Sequence, residues 1–146
     1  MQLLGHLSQY EQGGIAQIAG VMPRTLPNRP DGTIDLDLIE KSVRQLEDAH
    51  YARTELIALE NTHNYCGGKV LPREFLKSVS ALAKRKGIPV HLDGARVWNA
   101  ATALNTDIGE VVAEMDSISA CLSKGLGAPA GIIKCQTNLM FYVMIN

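Results

Sequence analysis

The sequence predicts an α/β fold in which a mostly parallel sheet carries helices on both faces. Short apolar runs, typical of buried strands, alternate along the chain with longer segments in which apolar residues recur at helical spacing. Polar residues and glycines follow directly after the apolar runs, at positions 61–68, 93–94 and 123–127. Because ligands of such sheets bind beside the carboxyl ends of the strands, these three stretches are expected to share one binding edge.

The first half of the chain is predicted to hold a loop, a helix and a strand. Residues 23–32 contain three prolines and end in a turn sequence, so they are predicted to form a connecting loop. A helix is predicted from about Asp35, because the apolar residues that follow recur at helical spacing: Leu36, Ile39, Val43 and Leu46. The apolar run within residues 54–60 then predicts a buried strand.

The second half is predicted to alternate helices and strands. Pro72 is suited to begin a helix, since its missing N–H needs no partner there, and Gly87 is suited to follow the last turn. One face of this helix is apolar: Phe75, Leu76, Val79, Leu82 and Ala83. The remaining elements are predicted as a strand at 88–93, helices at 95–104 and 107–115, and a strand at 116–122.

Composition and charge exclude several classes of protein. With 46% hydrophobic residues, 20% charged residues and a net charge of −1, the chain of 146 residues has no field that favours nucleic acid or an anionic membrane. The three cysteines lack metal-binding spacing, so no metal site is expected, and their odd number fits a reduced intracellular protein. No signal-peptide pattern and no membrane-spanning run is visible. A cytoplasmic location is expected, with mitochondria as the alternative.

Two residues after predicted strands carry the groups that pyridoxal phosphate requires. Lys124 can form an imine when its amine is deprotonated, and the glycines after it let the backbone approach a bulky ring. Asp93 can hold a pyridine nitrogen protonated, so that the ring accepts the electrons of a substrate carbanion. Each residue also has a structural interpretation. Lys124 alone is more simply an exposed turn residue, and Asp93 can cap the following helix.

Three further residues are candidates for the same chemistry. Arg96 can reach a ring oxygen or a substrate carboxylate with its planar guanidinium, or it can be a solvated surface residue. His63, in a polar stretch after a predicted strand, can act as a general acid or base, although a loop histidine is more often structural. His6 can stack on a pyridine ring, but nothing in the neighbouring sequence requires it.

Five motifs follow one another in a fixed order between about His6 and Gly131. They are His6-x-x-x-Tyr10-Glu11-x-Gly13-Gly14, Leu59-Glu60-Asn61-Thr62-His63-Asn64, Gly68-Lys69-Val70-Leu71-Pro72, His91-x-Asp93-Gly94-Ala95-Arg96 and Cys121-x-Ser123-Lys124-Gly125-x-Gly127-x-Pro129. Each motif alone is weakly specific, whereas their joint occurrence is highly specific. Together they resemble the low-specificity L-threonine aldolases, which belong to the aspartate-aminotransferase-like group of pyridoxal-phosphate enzymes.

The resemblance implies a fold, a cofactor and residue roles. It implies a fragment of the large domain of a fold-type I enzyme, with pyridoxal 5'-phosphate as cofactor. Lys124 is implied to be the Schiff-base lysine, Asp93 to pair with the pyridine nitrogen, and Arg96 to contact the cofactor's ring oxygen or the bound amino acid. His6 is implied to stack on the cofactor ring, and His63 to lie near the substrate hydroxyl. The implied reaction cleaves L-threonine or L-allo-threonine to glycine and acetaldehyde, in a family that forms homo-oligomers.

The family pattern is expected to be incomplete at both ends of the chain. Residues 1–133 are predicted to be a partial pyridoxal-phosphate-binding large domain, because family members begin well before His6 with a phosphate-binding segment. Residues 134–146 are predicted to be a residual C-terminal strand of the small domain, and residues 132–135 are expected not to continue the usual sheet strand. The uncharged run at 139–145 is expected to be poorly placed and to promote aggregation.

Three functions compete at this point. The first is a pyridoxal-phosphate lyase acting on a small β-hydroxy amino acid, without nucleic-acid or membrane partners. The second is a catalytically inactive truncated remnant, such as a splice or pseudogene product, or an interaction module. It is favoured by the expected loss of the phosphate- and carboxylate-binding segments, which also predicts weak retention of the cofactor. The third, an unrelated α/β binding protein, requires all five motifs to be coincidences.

Overall fold

The computed structural model describes residues 1–44, 49–136 and 142–144. Within these ranges five strands form one mixed sheet in the order β1-β2-β3-β4-β5: Ile57–Glu60 (β1), Val90–Asp93 (β2), Ser117–Cys121 (β3), Ile132–Gln136 (β4) and Tyr142–Met144 (β5). The pairings of β1 with β2 and of β2 with β3 are parallel, and the other two are antiparallel. The predicted α/β class is therefore confirmed, and its parallel part consists of the first three strands.

The helices are short except for one between the first two strands. In the described residues they are His6–Gln9 (α1), Gly14–Gln17 (α2), Leu36–Ser42 (α3), Arg73–Lys86 (α4), Val97–Leu104 (α5) and Ile108–Val112 (α6), with a 3-10 turn at Glu11–Gly13. None of these helices is long and apolar enough to cross a membrane.

Local sequence signals explain where α4 begins and ends. The helix starts directly after Pro72 and is followed by Gly87, as predicted. Gly87 has a φ of 66°, the left-handed conformation that glycine adopts without strain, and its N–H donates to the carbonyls of the last turn. The apolar face includes Val79 and Leu82, which are buried in the core. This face packs α4 onto the sheet, because the strands contribute to the same hydrophobic cluster.

The helix α3 is shorter than predicted. The Asp35 side chain caps its start by accepting a backbone N–H of the first turn, but the chain becomes extended at Val43 (φ −68°, ψ 125°). The cause is a pairing with a later segment. The Thr54 N–H donates to the carbonyl of Arg44 at 2.9 Å, and the Arg44 N–H donates to Thr54 Oγ1 at 3.0 Å. Leu46, which was predicted to continue the helix, lies outside the described residues.

The two faces of the sheet differ in chemistry because side chains alternate along each strand. One row in register is apolar and joins the core formed with α4 and α5: Leu59, Leu92 and Ile118. The next row in register is polar and points to the opposite face: Glu60, Asp93, Ser119 and Lys134. Helix α1 contacts this second face through His6 and Glu60. Helices therefore contact both faces, as the sequence predicts.

The strand β4 corrects one expectation. Residues 132–135 were expected not to continue the sheet, yet β4 pairs with β3 from Cys121↔Ile132 to Ser117↔Gln136. The loop between β3 and β4 is closed at its base, because the Leu122 N–H donates to the carbonyl of Gly131 at 2.8 Å. The predicted domain boundary between residues 133 and 134 falls inside this strand and remains a prediction.

The uncharged tail is only partly described. Tyr142–Met144 pairs with β4 in antiparallel register at the edge of the sheet, and the expectation that the tail is poorly placed stays a prediction. The rest of the run at 139–145 lies outside the described residues, and its expected contribution to aggregation stays a prediction.

Candidate active site

Asp93 and Lys124 lie at the carboxyl ends of two adjacent parallel strands. Asp93 is the last residue of β2, and Lys124 follows the last residue of β3 by three positions. The two side chains are close enough for their charges to interact, since Lys124 acts to lower the pKa of the Asp93 carboxyl. The predicted placement of both residues on one edge of the sheet is thus confirmed.

The environment of Asp93 disfavours its ionised form. Burial raises the pKa of this carboxyl above its usual value of 3.8, and the nearby Glu60 raises it further. A hydrogen bond from the Ala95 N–H to Oδ1 (3.1 Å) opposes this rise, as does Lys124. An ionised Asp93 therefore destabilises the folded chain, because the nearby Lys124 offsets only part of the cost of burial.

Replacing Asp93 by asparagine is expected to stabilise the chain at neutral pH and to flatten part of its pH dependence. A carboxyl whose folded pKa is raised takes up a proton on folding, so stability falls as pH rises from the unfolded to the folded pKa. Above that pH window the free-energy cost of burying the ionised Asp93 is constant, and the uncharged asparagine removes this cost. Urea denaturation followed by Trp98 fluorescence, from weakly acidic to neutral pH, measures the effect. If the two proteins gave parallel stability curves, the proposed environment of Asp93 would be wrong.

Lys124 is exposed in a tight glycine-containing turn that touches α5. The Gly127 N–H donates to the Lys124 carbonyl at 3.0 Å, which closes the turn. A Cβ added to Gly125 would collide with Asn99 Oδ1 and lie 3.3 Å from the Cβ of Trp98. A larger residue at this position would require the Asn99 side chain to move, so glycine lets the backbone pass close to α5 without rearrangement. Because α5 starts a few residues after Asp93, this contact keeps Lys124 near the end of β2.

Arg96 directly precedes α5 and is half-buried. None of the ion pairs found among the described residues includes its guanidinium. Within the described part of the chain, the guanidinium is therefore not neutralised by an acidic side chain. Its predicted role, binding an oxygen of a ligand, stays a prediction.

His6 is held by a buried carboxylate that sequence reasoning missed. Glu60, the last residue of β1, is 4% exposed. Its Oε2 accepts the backbone N–H of His6 at 2.6 Å, while Oε1 lies 3.0 Å from His6 Nδ1 and accepts the N–H of Asn64 at 3.0 Å. Glu60 is also the partner of Asp93 in strand register. The signal was present, because an ionisable residue at the end of a buried apolar run needs polar partners.

His63 is completely buried and does not open onto the binding edge. The Asn28 side-chain amide donates to its Nε2 at 3.1 Å, and the oxygen of that amide accepts the Leu4 N–H, which fixes its orientation. Burial lowers the pKa of His63, an effect that Glu60 opposes and His6 reinforces. The expectation that His63 faces the same cleft as Asp93 and Lys124 is therefore wrong in this structure. Its neutral ring connects the loop after β1 to the loop around Asn28.

Comparison with known proteins gives matches over most of the chain. The model of the beta-eliminating lyase family matches residues 2–138, so the match continues past Gly131, where the resemblance was expected to end. The chain is 46% identical over 129 residues to low-specificity L-threonine aldolase 1 of Arabidopsis thaliana. It is 41% identical over 126 residues to the low specificity L-threonine aldolase of Escherichia coli K12. These matches cover 88% and 86% of this chain but 36% and 37% of the relatives.

Solved structures agree with the sequence matches. Threonine aldolase of Leishmania major superimposes with a TM-score of 0.73 and 27% identity, covering 84% of this chain and 35% of that chain. The chain thus spans roughly a third of the length of the relatives it matches. The predicted resemblance to threonine aldolases is confirmed in sequence and in fold. The five motifs and the placement of Asp93 and Lys124 agree with this match. Because the family model matches residues 2–138, the chain belongs to the beta-eliminating lyase family.

Proposed function

We propose that this chain forms part of a pyridoxal-phosphate-dependent lyase that cleaves L-threonine or L-allo-threonine to glycine and acetaldehyde. The observation that carries the proposal is the placement of Asp93 and Lys124 at the carboxyl ends of adjacent strands. The named relatives, described as low-specificity L-threonine aldolases, support the choice of substrate. Homo-oligomeric assembly, a cytoplasmic location and a place in threonine breakdown are further parts of the proposal.

The residues of this edge fit pyridoxal phosphate. The cofactor's protonated ring nitrogen is a cation, and it would stabilise the half-buried Asp93 carboxylate, whose burial Lys124 offsets only in part. The exposed Lys124 amine stands at the end of the neighbouring strand, where it is accessible to an aldehyde. When bound, the cofactor supplies a ring that accepts the electrons released when the bond between Cα and Cβ breaks.

Each candidate residue has one role in the proposal. Lys124 anchors the cofactor through its amine, and Asp93 keeps the proton on the ring nitrogen. Arg96 binds the cofactor's ring oxygen or the substrate carboxylate through its guanidinium. His6 stacks on the cofactor ring. For His63 the contacts with Asn28 favour support of the surrounding loops over direct contact with the substrate hydroxyl.

Release of acetaldehyde tests the proposal directly. The purified chain is incubated with pyridoxal phosphate and either L-threonine or L-allo-threonine, and acetaldehyde is measured by its reduction with alcohol dehydrogenase. From each isomer, acetaldehyde and glycine are expected in a one-to-one ratio. D-Threonine is the control substrate. Equilibrium dialysis of the same sample measures cofactor binding. A chain that neither binds the cofactor nor releases acetaldehyde would support the catalytically inactive alternative.

A further inference from the structure

The two oxygens of Glu60 contact His6 at two different atoms. Oε2 accepts the backbone N–H of His6 at 2.6 Å, and Oε1 lies 3.0 Å from Nδ1 of the imidazole. The Glu60 side chain is only 5% exposed and that of His6 is 21% exposed. The carboxylate therefore fixes both the position of the His6 backbone and the direction of its ring.

This geometry determines which nitrogen of a neutral His6 ring carries the proton. An ionised carboxylate can only accept hydrogen bonds, so Nδ1 must be the nitrogen that donates. Nε2 then keeps its lone pair. Among the described residues, no hydrogen bond to His6 Nε2 is found, whereas Nε2 of His63 is occupied by the amide of Asn28. Of these two rings, His6 is the one with an uncommitted acceptor nitrogen.

Aromatic contacts hold the same ring from another direction. The ring centroids of His6 and Tyr10 are 5.2 Å apart, and the Tyr10 hydroxyl forms a short hydrogen bond with that of Tyr65. Tyr65 lies in the loop after β1, next to Asn64, whose N–H also binds Glu60. The loop after β1 thus contacts the His6–Tyr10 segment through Tyr65 and binds through Asn64 the carboxylate that holds His6, so the imidazole has little freedom to turn over.

We propose that Glu60 is a positioning residue that holds His6 in the Nδ1–H tautomer, leaving the unprotonated Nε2 for the bound cofactor or amino acid. The identity of that ligand rests on the proposed function, but the tautomer does not. The competing explanation gives Glu60 a purely structural role, namely to anchor the N-terminal segment through the backbone N–H groups of His6 and Asn64. The two explanations differ in what happens to the ring when the charge is removed.

NMR of the imidazole nitrogens in the cofactor-free chain distinguishes the two explanations. At a pH where the ring is neutral, the wild type is expected to show His6 with its proton on Nδ1. In Glu60→Leu no acceptor faces the ring, so the preference of the proton for Nδ1 is expected to be lost. Glu55→Leu, which removes an exposed carboxylate paired with Arg53, is the matched control and should leave the tautomer unchanged.

A proton on Nε2 of the neutral wild-type ring, or an undiminished preference for Nδ1 in Glu60→Leu, would overturn the proposal. The wild-type measurement decides the question even if Glu60→Leu does not fold. Since no cofactor is needed, these results are independent of whether the chain is an aldolase. Conversely, failure to release acetaldehyde would count against the proposed function and leave the tautomer result intact.

Cofactor affinity gives a second readout through a double-mutant cycle. Glu60→Leu is expected to weaken pyridoxal phosphate binding about tenfold, the smaller of the losses found when a residue that orients a metal-bound histidine is removed. In a His6→Ala background the same change should have no further effect, because there is no ring left to orient. An equal loss of affinity in both backgrounds would show that Glu60 acts on the fold and would overturn the proposal.

Discussion

Replacing Lys124 by alanine is expected to abolish covalent capture of pyridoxal phosphate and, with it, release of acetaldehyde. In the proposed function the amine of Lys124 bonds to the cofactor's aldehyde, and alanine has no nucleophile to replace it. Reduction with borohydride followed by peptide mass spectrometry locates the attached cofactor. In the wild type the added mass is expected on the peptide that contains Lys124, together with a visible absorption band that the variant lacks.

A matched control separates this effect from a general loss of positive charge. Lys77→Ala removes a lysine on the exposed side of α4 that pairs with Glu74 in a surface contact, so it should leave cofactor capture intact. If the Lys124 variant still captured the cofactor at another lysine with the same stoichiometry, the assignment of the anchoring residue would be wrong.

Replacing Gly94 by alanine is expected to lower the free energy of unfolding by about 1–3 kcal/mol and to weaken cofactor binding. The new Cβ would lie 2.8 Å from Ile118 Cδ1 and 3.0 Å from the carbonyl oxygen of Ser119. The isoleucine side chain can turn away, but the carbonyl accepts the Gly94 N–H at 2.7 Å and cannot. The strands must separate at this point, which moves Asp93 away from Lys124. Urea denaturation and equilibrium dialysis measure the two effects.

Gly14→Ala provides the comparison for this substitution. Gly14 has a helical φ of −54°, and its new Cβ would meet only Ile18 Cδ1, at 3.9 Å. The free energy of unfolding of this variant should differ from that of the wild type by less than about 1 kcal/mol. A Gly94 variant as stable as the Gly14 variant would mean that β2 and β3 do not approach each other as closely as described.

Elements with strong local signals could be predicted from the sequence alone. The helix α4 has a proline before it, a glycine after it and a continuous apolar face, so its ends are fixed by residues within the segment. The edge that joins Asp93 and Lys124 was also predictable, because parallel neighbouring strands end on the same side of a sheet.

The errors arose where distant segments meet. The helix α3 ends early because Arg44 pairs with Thr54, and no local pattern announces that pairing. His63 is buried because Asn28, from a loop 35 residues earlier, reaches its ring. Glu60 was overlooked as an organising group because its partner His6 is 54 residues away in the chain. Sequence periodicity carries no information on contacts of this kind.

The order of the strands also has a consequence for how the chain folds. Each pair of adjacent strands is consecutive in the sequence, so the sheet can grow one strand at a time from local connections. The two parallel pairings still close loops through a helix, as between Ile57 and Val90, so they form more slowly than the antiparallel pairing of β3 with β4. The contact between Glu60 and His6, by contrast, closes 54 residues. We therefore expect the N-terminal segment to dock after the first strands have paired, and to detach first when the chain begins to unfold.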